Sequence, residues 1–170
     1  MKLITKVSIL VALMTMLSGC GLAAKTALQT ARGGYAELSY IEPVQTLKAY
    51  DSLNTISISS AAGSAITPEN LQRLNNKIRG TLSAKGLNTS IYGALQISGV
   101  IVHTEDNTLR KQVIMRVRLE AVQTGKGIGI VNVSGLVGGL RDFNEVLDAV
   151  VAGIFQILDE HEFSAVKKAS

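Results

Sequence analysis

The chain is poor in the residue types that build compact chemical sites. Its 170 residues include one cysteine, no tryptophan, two histidines and two prolines. A single cysteine cannot form a disulfide within the chain or a multi-thiolate zinc site. With three phenylalanines and four tyrosines, aromatic platforms on which sugars or bases could stack are also scarce. These shortages argue against a disulfide scaffold, a zinc-thiolate site and a stacking surface for polymers.

An uncharged apolar run lies at residues 7–17, after the basic residues Lys2 and Lys6. The run has 11 residues, interrupted by one serine and one threonine. About 20 apolar residues are needed to cross a membrane, so the run is too short to span one. Its length and its basic start are typical of a secretory signal peptide. We therefore predict a signal peptide over residues 1–19.

The apolar run ends at Leu17, and the four residues Leu17-Ser18-Gly19-Cys20 resemble the lipobox of bacterial lipoproteins. The resemblance implies that the Cys20 sulfur is acylated through a thioether, that the chain is cut before it, and that the new amino terminus also carries an acyl chain such as palmitate. More than one acyl chain makes anchoring stable. Gly21, where an aspartate would favour the inner membrane, implies the outer membrane. The alternative is an ordinary secreted protein with a chance cysteine.

The charge of the chain gives weak support to nucleic-acid binding. The formal net charge is +4, and it falls to +2 without Lys2 and Lys6. A balance this small does not build a basic surface for phosphates, and an envelope compartment argues against such a partner. We predict no nucleic-acid partner and no cofactor. The length that remains after the signal peptide suits one domain.

Residues 20–47 predict a lipidated terminus, a tether and an arm. The tether, GLAAKTALQTARGG, is small and polar. The following YAELSYIEPV is more apolar than a linker requires, so it packs either on its own domain or on a neighbouring subunit. We place a single periplasmic domain at 48–163 and a tail at 164–170.

Two helices are predicted in the domain. The first begins after Thr67, a suitable N-cap with Pro68 at the first helical position, and ends before Gly86, which suits a left-handed C-terminal residue. The second runs from about Asp142 to Glu162, with capping-box spacing at its start. Apolar stripes on both helices predict the residues that are buried against a sheet, among them Leu74, Ile78, Leu147 and Ile154.

Extended segments separate and follow the helices. NTISISS, ALQISGVIVH and KQVIMRVRLEAV alternate as strands do, TEDNT reads as a hairpin connection, and NTSIYG reads as a short strand. IGIVNVSGL is a further strand, but both of its faces are too apolar to decide which one points inward. The fold class predicted is α+β: a mainly antiparallel sheet of four to five strands with two helices packed on one face.

Two segments carry a resemblance to a known group. MRVRLEAVQTGKGIGIVNVSG followed by FNEVLDAVVAGIFQIL is similar to the end of the TolB amino-terminal and curli-secretion-lipoprotein superfamily. In that group a strand ending in a Thr-Gly-Lys/Arg turn leads to a final strand and a long helix, and Thr124-Gly125-Lys126 stands at that turn here. The resemblance covers roughly residues 50–160 and implies an accessory protein of the envelope. No segment has room for the membrane hairpins of its channel-forming members.

The sequence carries no recognisable catalytic or metal-binding motif. His103 follows a strand near two acids, and His161 stands among acids at a helix end, where an imidazolium is favourable. Neither histidine has metal-ligand spacing. The run TGKGIG opens a strand, whereas a phosphate loop must open a helix. Neither G-x-S-x-G nor a usable S-x-x-K is present. We expect no enzymatic activity and no metal site.

The strand pattern predicts a candidate partner face. If Val113, Met115, Val117 and Leu119 face the helices, the opposite face mixes aliphatic residues with arginines. Its candidate residues are Val100, Val102, Ile114, Arg116, Arg118 and Val122. A solvated sheet face usually alternates cleanly to polar residues, and arginine among aliphatic residues is typical of interfaces. Alternatively, the arginine stems shield the valines from water.

We therefore predict an outer-membrane lipoprotein facing the periplasm. It would act as a non-enzymatic accessory or scaffold for an envelope assembly or secretion machine, through contacts with another envelope protein or with copies of itself. The alternative is a binding module for a small or polymeric envelope ligand. A preformed concave pocket would favour the ligand module, and a flat, partly apolar surface would favour the scaffold.

Overall fold

Five strands and two helices follow one another in residues 33–87 and 89–164, the part of the chain that this computed structural model describes. In chain order they are β1 (Tyr35–Glu42), β2 (Leu53–Ser60), α1 (Pro68–Ala84), β3 (Leu95–Asp106), β4 (Arg110–Ala121), β5 (Lys126–Gly138) and α2 (Phe143–Glu160). No helix within these two ranges is long and apolar enough to span a membrane. The predicted signal peptide and Cys20 lie outside the described residues.

The strands form one mixed sheet in the order β1-β5-β4-β3-β2. The pairs β1–β5, β5–β4 and β4–β3 are antiparallel, and β2 pairs parallel to β3. Parallel neighbours need a long connection, which α1 provides between β2 and β3. The predicted α+β class, the largely antiparallel sheet and the two covering helices are confirmed.

One face of the sheet and the two helices enclose the core. Alternate residues of β4, from Val113 to Leu119, are buried beneath the helices. Helix α1 buries Leu74, Ile78 and Leu82, and α2 buries a broader stripe that includes Leu147 and Ile154. The burial predicted from the helical periodicity is therefore confirmed.

The helix ends follow local sequence signals. The Thr67 hydroxyl accepts a hydrogen bond from the Asn70 amide at 3.2 Å, and the Asp142 carboxylate accepts one from the Asn144 amide at 2.8 Å. Gly86 has a φ of 65°. The Leu87 amide donates to the Leu82 carbonyl at 2.8 Å, which closes α1 in the manner of a Schellman motif.

Strand β1 lies in the segment that the sequence pattern placed outside the domain. It pairs with β5, with Tyr35 opposite Leu136 and Ser39 opposite Asn132. The folded unit begins at Gly34 rather than at 48, and YAELSYIEPV lies against its own domain. The pattern concealed this because the strand is stabilised by its pairing with β5, which comes far later in the chain.

The predicted short strand NTSIYG is also corrected. Thr89 makes a single isolated bridge with Leu53. The Gly93 amide then donates to the Ser90 carbonyl at 2.8 Å. This hydrogen bond closes a turn between α1 and β3, which leaves no room for a strand.

Candidate interaction surface

The helices leave one face of the sheet uncovered. We call it the open sheet face and define it by the side chains of β3, β4 and β5 that alternate with the buried ones. Its members are Gln96, Ser98, Val100 and His103 from β3; Ile114, Arg116, Arg118 and Glu120 from β4; and Ile130, Asn132 and Ser134 from β5, whereas Gln112 and Leu136 lie on the same side but are buried. It is a continuous surface because three neighbouring strands build it.

The structure brings most of the predicted partner residues together on this face. Val100 lies directly opposite Arg116 across the β3–β4 pair, and Arg118 lies opposite Ser98. Ile114 is partly buried in the same strand. Val100 and Val122, the latter directly after β4, are each 37% exposed. Alternation within β3 for Val100, and along β4 for the others, was sufficient to place these residues on one side.

Val102 does not occupy a regular position of the face. The β3–β4 register shifts between Ile101 and His103, so Val102 is an extra residue in a bulge. His103, rather than Val102, stands opposite Ile114. Beyond the bulge the alternation is reversed. Thr104 consequently points to the core, where its buried hydroxyl oxygen has no hydrogen-bond partner.

The two arginines are loosely held by their neighbours. Arg116 Nε lies 3.4 Å from Asn132 Oδ1, near the limit of a hydrogen bond. Arg118 Nε lies 3.6 Å from Glu120 Oε2, and both side chains are substantially exposed. An exposed ion pair of this kind contributes about 0–1 kcal/mol. Both guanidinium groups could therefore pair with carboxylates of a partner at little cost.

The contribution of β5 to the face was missed at the level of sequence. Ile130 stands opposite Arg118, and Asn132 opposite Arg116. Pairing the residues of β4 and β5 one by one, outward from the Ala121–Lys126 turn, would have matched the wrong residues. The register shifts by one residue beside Glu120, which leaves Ile128 as an extra residue of β5.

The other candidate positions are dispersed. His103 is exposed on the open sheet face, whereas His161 lies beyond α2 beside Tyr40. In the two described ranges, no group of three or more histidine, cysteine or acidic residues is placed to hold a metal ion. The TGKG segment forms the β4–β5 turn, with Gly125 at a φ of 63°.

Two grooves lie on the helix side of the sheet. The interhelix groove, of about 440 Å³, is lined by residues of both helices, including Lys85, Asp148 and Phe155. Its Lys85 ammonium group lies 5.6 Å from the centre of the Phe155 ring. The edge groove, of about 600 Å³, lies between β2 and α1. Both grooves are open to solvent, and a smaller, more enclosed cavity of about 180 Å³ lies beside the edge groove, between β2 and α1.

No model of a known protein family matches the sequence, and no curated protein is significantly similar to it. The fold is similar to that of a PelC dodecamer from Paraburkholderia phytofirmans, with a TM-score of 0.51, 16% identity, and coverage of 74% of this chain and 95% of that one. A single-residue variant of the same dodecamer gives a TM-score of 0.53 at 16% identity, with 76% and 98% covered.

A lipoprotein from Neisseria meningitidis matches with a TM-score of 0.40 and 9% identity, over 62% of this chain and 99% of that one. The likeness to the PelC chains defines the fold of this protein as that of their subunit. At 16% identity it defines nothing beyond the fold.

Proposed function

We propose that this protein is a lipid-anchored envelope protein that acts without enzymatic activity, as a scaffold. It assembles with copies of itself and binds another envelope protein through the open sheet face. The observation that carries the proposal is that face: a continuous surface, covered by neither described helix, on which Arg116 and Arg118 stand among exposed or partly exposed aliphatic side chains.

The proposed location rests on the amino-terminal sequence. A short apolar run followed by Leu17-Ser18-Gly19-Cys20 supports export, acylation of Cys20 and anchoring by lipid. Gly21 supports the outer membrane, with the domain facing the periplasm.

The proposed self-assembly is supported by the shared fold. The two PelC structures are dodecamers. Where identical subunits close into a ring, each contact joins two different surfaces of the same subunit. This chain offers two such surfaces because its sheet ends in two different strands, β1 and β2.

The open sheet face has the composition of a protein-binding surface. Arginine and exposed aliphatic residues are enriched where proteins meet, because the guanidinium fork pairs in place while its stem packs. The face extends over three neighbouring strands, which suits a macromolecular partner, whereas small molecules bind in concave sites.

The test is an Arg116→Glu, Arg118→Glu double variant. It should remain folded, since both side chains are exposed, and it should lose proteins that co-purify with the wild type in mild detergent. A Lys48→Glu, Lys126→Glu double variant is the matched control, because it makes the same charge change at exposed positions away from the face. Identical sets of co-purified proteins from the Arg116/Arg118 variant and the wild type would refute the role of this face.

The interhelix groove favours a second candidate, a binding module for a small or polymeric ligand. Lys85 and Asp148 would supply charge, and Phe155 an apolar floor. An Ala152→Trp substitution fills this groove. If ligand binding is the function, this variant should fail to complement a deletion strain while keeping its co-purifying proteins. Full complementation would exclude the groove.

A further inference from the structure

Strand β2 is an edge strand that carries few of the features that keep edges from pairing. Its sequence, LNTISISS, has no charged residue and no proline. The loop after α1 covers its beginning, where Ser90 N–H donates to the Leu53 carbonyl at 2.9 Å. From Thr55 to Ser60, no strand of the described chain pairs with its outer side. A long, uncharged edge of this kind is a template for another strand.

The edge groove provides a place for the side chains of an added strand. Ile56 and Ile58 of β2 are only partly buried because α1 does not extend over the edge of the sheet. Leu71 and Arg79 of α1 form the opposite wall. Arg79 makes no ion pair with any residue in 33–87 or 89–164. The groove therefore combines the two isoleucines and Leu71 with polar side chains of α1, Gln72, Asn75 and Asn76, and carries the positive charge of Arg79.

Strand β1, at the other edge of the sheet, offers the complementary chemistry. Its Tyr40 and Ile41 are 43% and 48% exposed, which is high for large apolar side chains. The Tyr40 hydroxyl donates to Glu160 Oε2 at 2.8 Å, and Gln156 holds the other carboxylate oxygen at 2.7 Å. This edge therefore presents an apolar surface beside a fixed negative charge.

The strand directions allow the two edges to pair well. β2 and β3 run in the same direction, β4 is antiparallel to β3, β5 to β4, and β1 to β5. β1 therefore runs opposite to β2. If neighbouring copies are related by rotation about an axis along the strands, β1 of one copy lies antiparallel to β2 of the next, and antiparallel pairing is the slightly more stable kind.

The registers also predict which residues meet. Following the pairs across the sheet, one row contains Ser39, Asn132, Arg116, Val100 and Ser59. The next row, on the helix side, ends in Tyr40 at one edge and Ile58 at the other. A copy added without displacement along the strands puts Ser39 beside Ser59 and Tyr40 against Ile58.

We propose that copies of this chain join edge to edge, with β1 of one copy paired antiparallel to the Thr55–Ser60 edge of the next. Tyr40, which stands in the helix-side row, fills the edge groove, and Glu160 faces Arg79. The proposal rests on the self-assembly proposed above and names its surface. A contact between two different surfaces repeats around a ring when the rotation closes.

A cysteine pair tests the contact in the full chain in its membrane. Ser39 and Ser59 are both exposed, so Ser39→Cys combined with Ser59→Cys should give a ladder of head-to-tail multimers on mild oxidation. Ser57→Cys in place of Ser59→Cys tests a displacement of two residues along the strand. Each single variant and a Ser39→Cys, Ser83→Cys pair, which uses an exposed serine on α1, should give no ladder.

A charge exchange tests the same contact without a cross-link. Arg79→Glu should weaken self-association about two- to fivefold, the effect expected of one exposed ion pair. Adding Glu160→Arg should restore it, which a merely structural role for either residue would not do.

The outcomes separate this proposal from the function on which it rests. An assembled protein that gives no ladder with either cysteine pair, and whose size is unchanged by Arg79→Glu, would overturn edge pairing and leave the scaffold function standing. A protein that is monomeric at all concentrations would overturn both.

Discussion

Tyr40 connects the edge strand β1 to the end of α2. Its hydroxyl donates to Glu160, and its ring meets the His161 ring edge-on at a centroid distance of 5.7 Å. Partial burial, the hydrogen bond to Glu160 and the charge of that carboxylate raise the pKa of Tyr40 to about 12. Hydrogen bonds from Gln156 and from Tyr40 lower the pKa of Glu160. The two shifts stabilise the same state, a neutral phenol bound to a carboxylate.

The direction of each shift predicts how this link depends on pH. Because the pKa of Tyr40 is raised, this residue's contribution to the free energy of unfolding is fully present below its ordinary pKa of 10.0. That contribution is lost as pH rises toward about 12. Because the pKa of Glu160 is lowered, this residue's contribution to the free energy of unfolding is present above its ordinary pKa of 4.5. That contribution is lost as pH falls through the pKa of Glu160 in the folded protein.

Absorbance titration of the tyrosines checks the prediction. The folded wild type should show a phenol that ionises near pH 12, and Tyr40→Phe should remove that transition. A high-pH transition that persists in the variant would assign it to another tyrosine.

Helix α2 lies unusually close to the sheet at two glycines. A Cβ atom built on Gly135 of β5 would lie 2.6 Å from the Val146 carbonyl oxygen, and one on Gly153 of α2 would lie 2.5 Å from a Val133 methyl carbon. Both distances are too short for real contacts, so α2 can pack this closely on β5 only because these two positions are glycines, which have no Cβ atom.

Two glycine substitutions distinguish packing from helix propensity. Gly153→Val should lower the free energy of unfolding by about 1–3 kcal/mol, because the side chain overpacks the contact with β5. Gly80, in α1, has open space around its Cβ position. Gly80→Ala should raise the free energy of unfolding by about 0.5–1 kcal/mol, since alanine is the better helix former.

Urea denaturation of both variants gives the comparison, and Gly80→Ala serves as the control for a change of glycine within a helix. A Gly153→Val variant as stable as the wild type would mean that α2 is not seated on β5 as described.

At the scale of the whole molecule, the proposed anchor and the proposed interaction surfaces belong to different parts of the chain. The folded unit, from Gly34 onward, carries the open sheet face and both edge strands. The proposed anchor depends on Cys20, whose sulfur alone can form the thioether to lipid. Loss of the anchor should therefore change location without unfolding the domain.

Cys20→Ser should leave the protein unprocessed or soluble, because serine cannot form the thioether. Membrane fractionation and the mobility of the mature form measure the effect. Gly21→Asp is the matched variant: it should remain acylated and processed but move to the inner membrane. A Cys20→Ser protein that is cleaved normally and still floats with outer membranes would show that the lipoprotein interpretation is wrong.

The sequence by itself determined the features that depend on neighbours in the chain. Thr67 and Gly86 mark the ends of α1, and the helical spacing of Leu74 and Ile78 marks its buried side, because caps and periodicity act within one or two turns. Alternation in β4 likewise put Ile114, Arg116 and Arg118 on one face, so the centre of the candidate surface was predictable.

Only the tertiary structure decided the features that depend on distant partners. β1 is a strand because β5 pairs with it, and the bulges at Val102 and Ile128 set which residues of β3 and β5 share the open sheet face. The same holds for which strands form the two edges of the described sheet, since the strand order alone decides that. A strand's side-chain period is two, so one extra residue reverses every position beyond it, and the energy that places that residue comes from packing across the sheet.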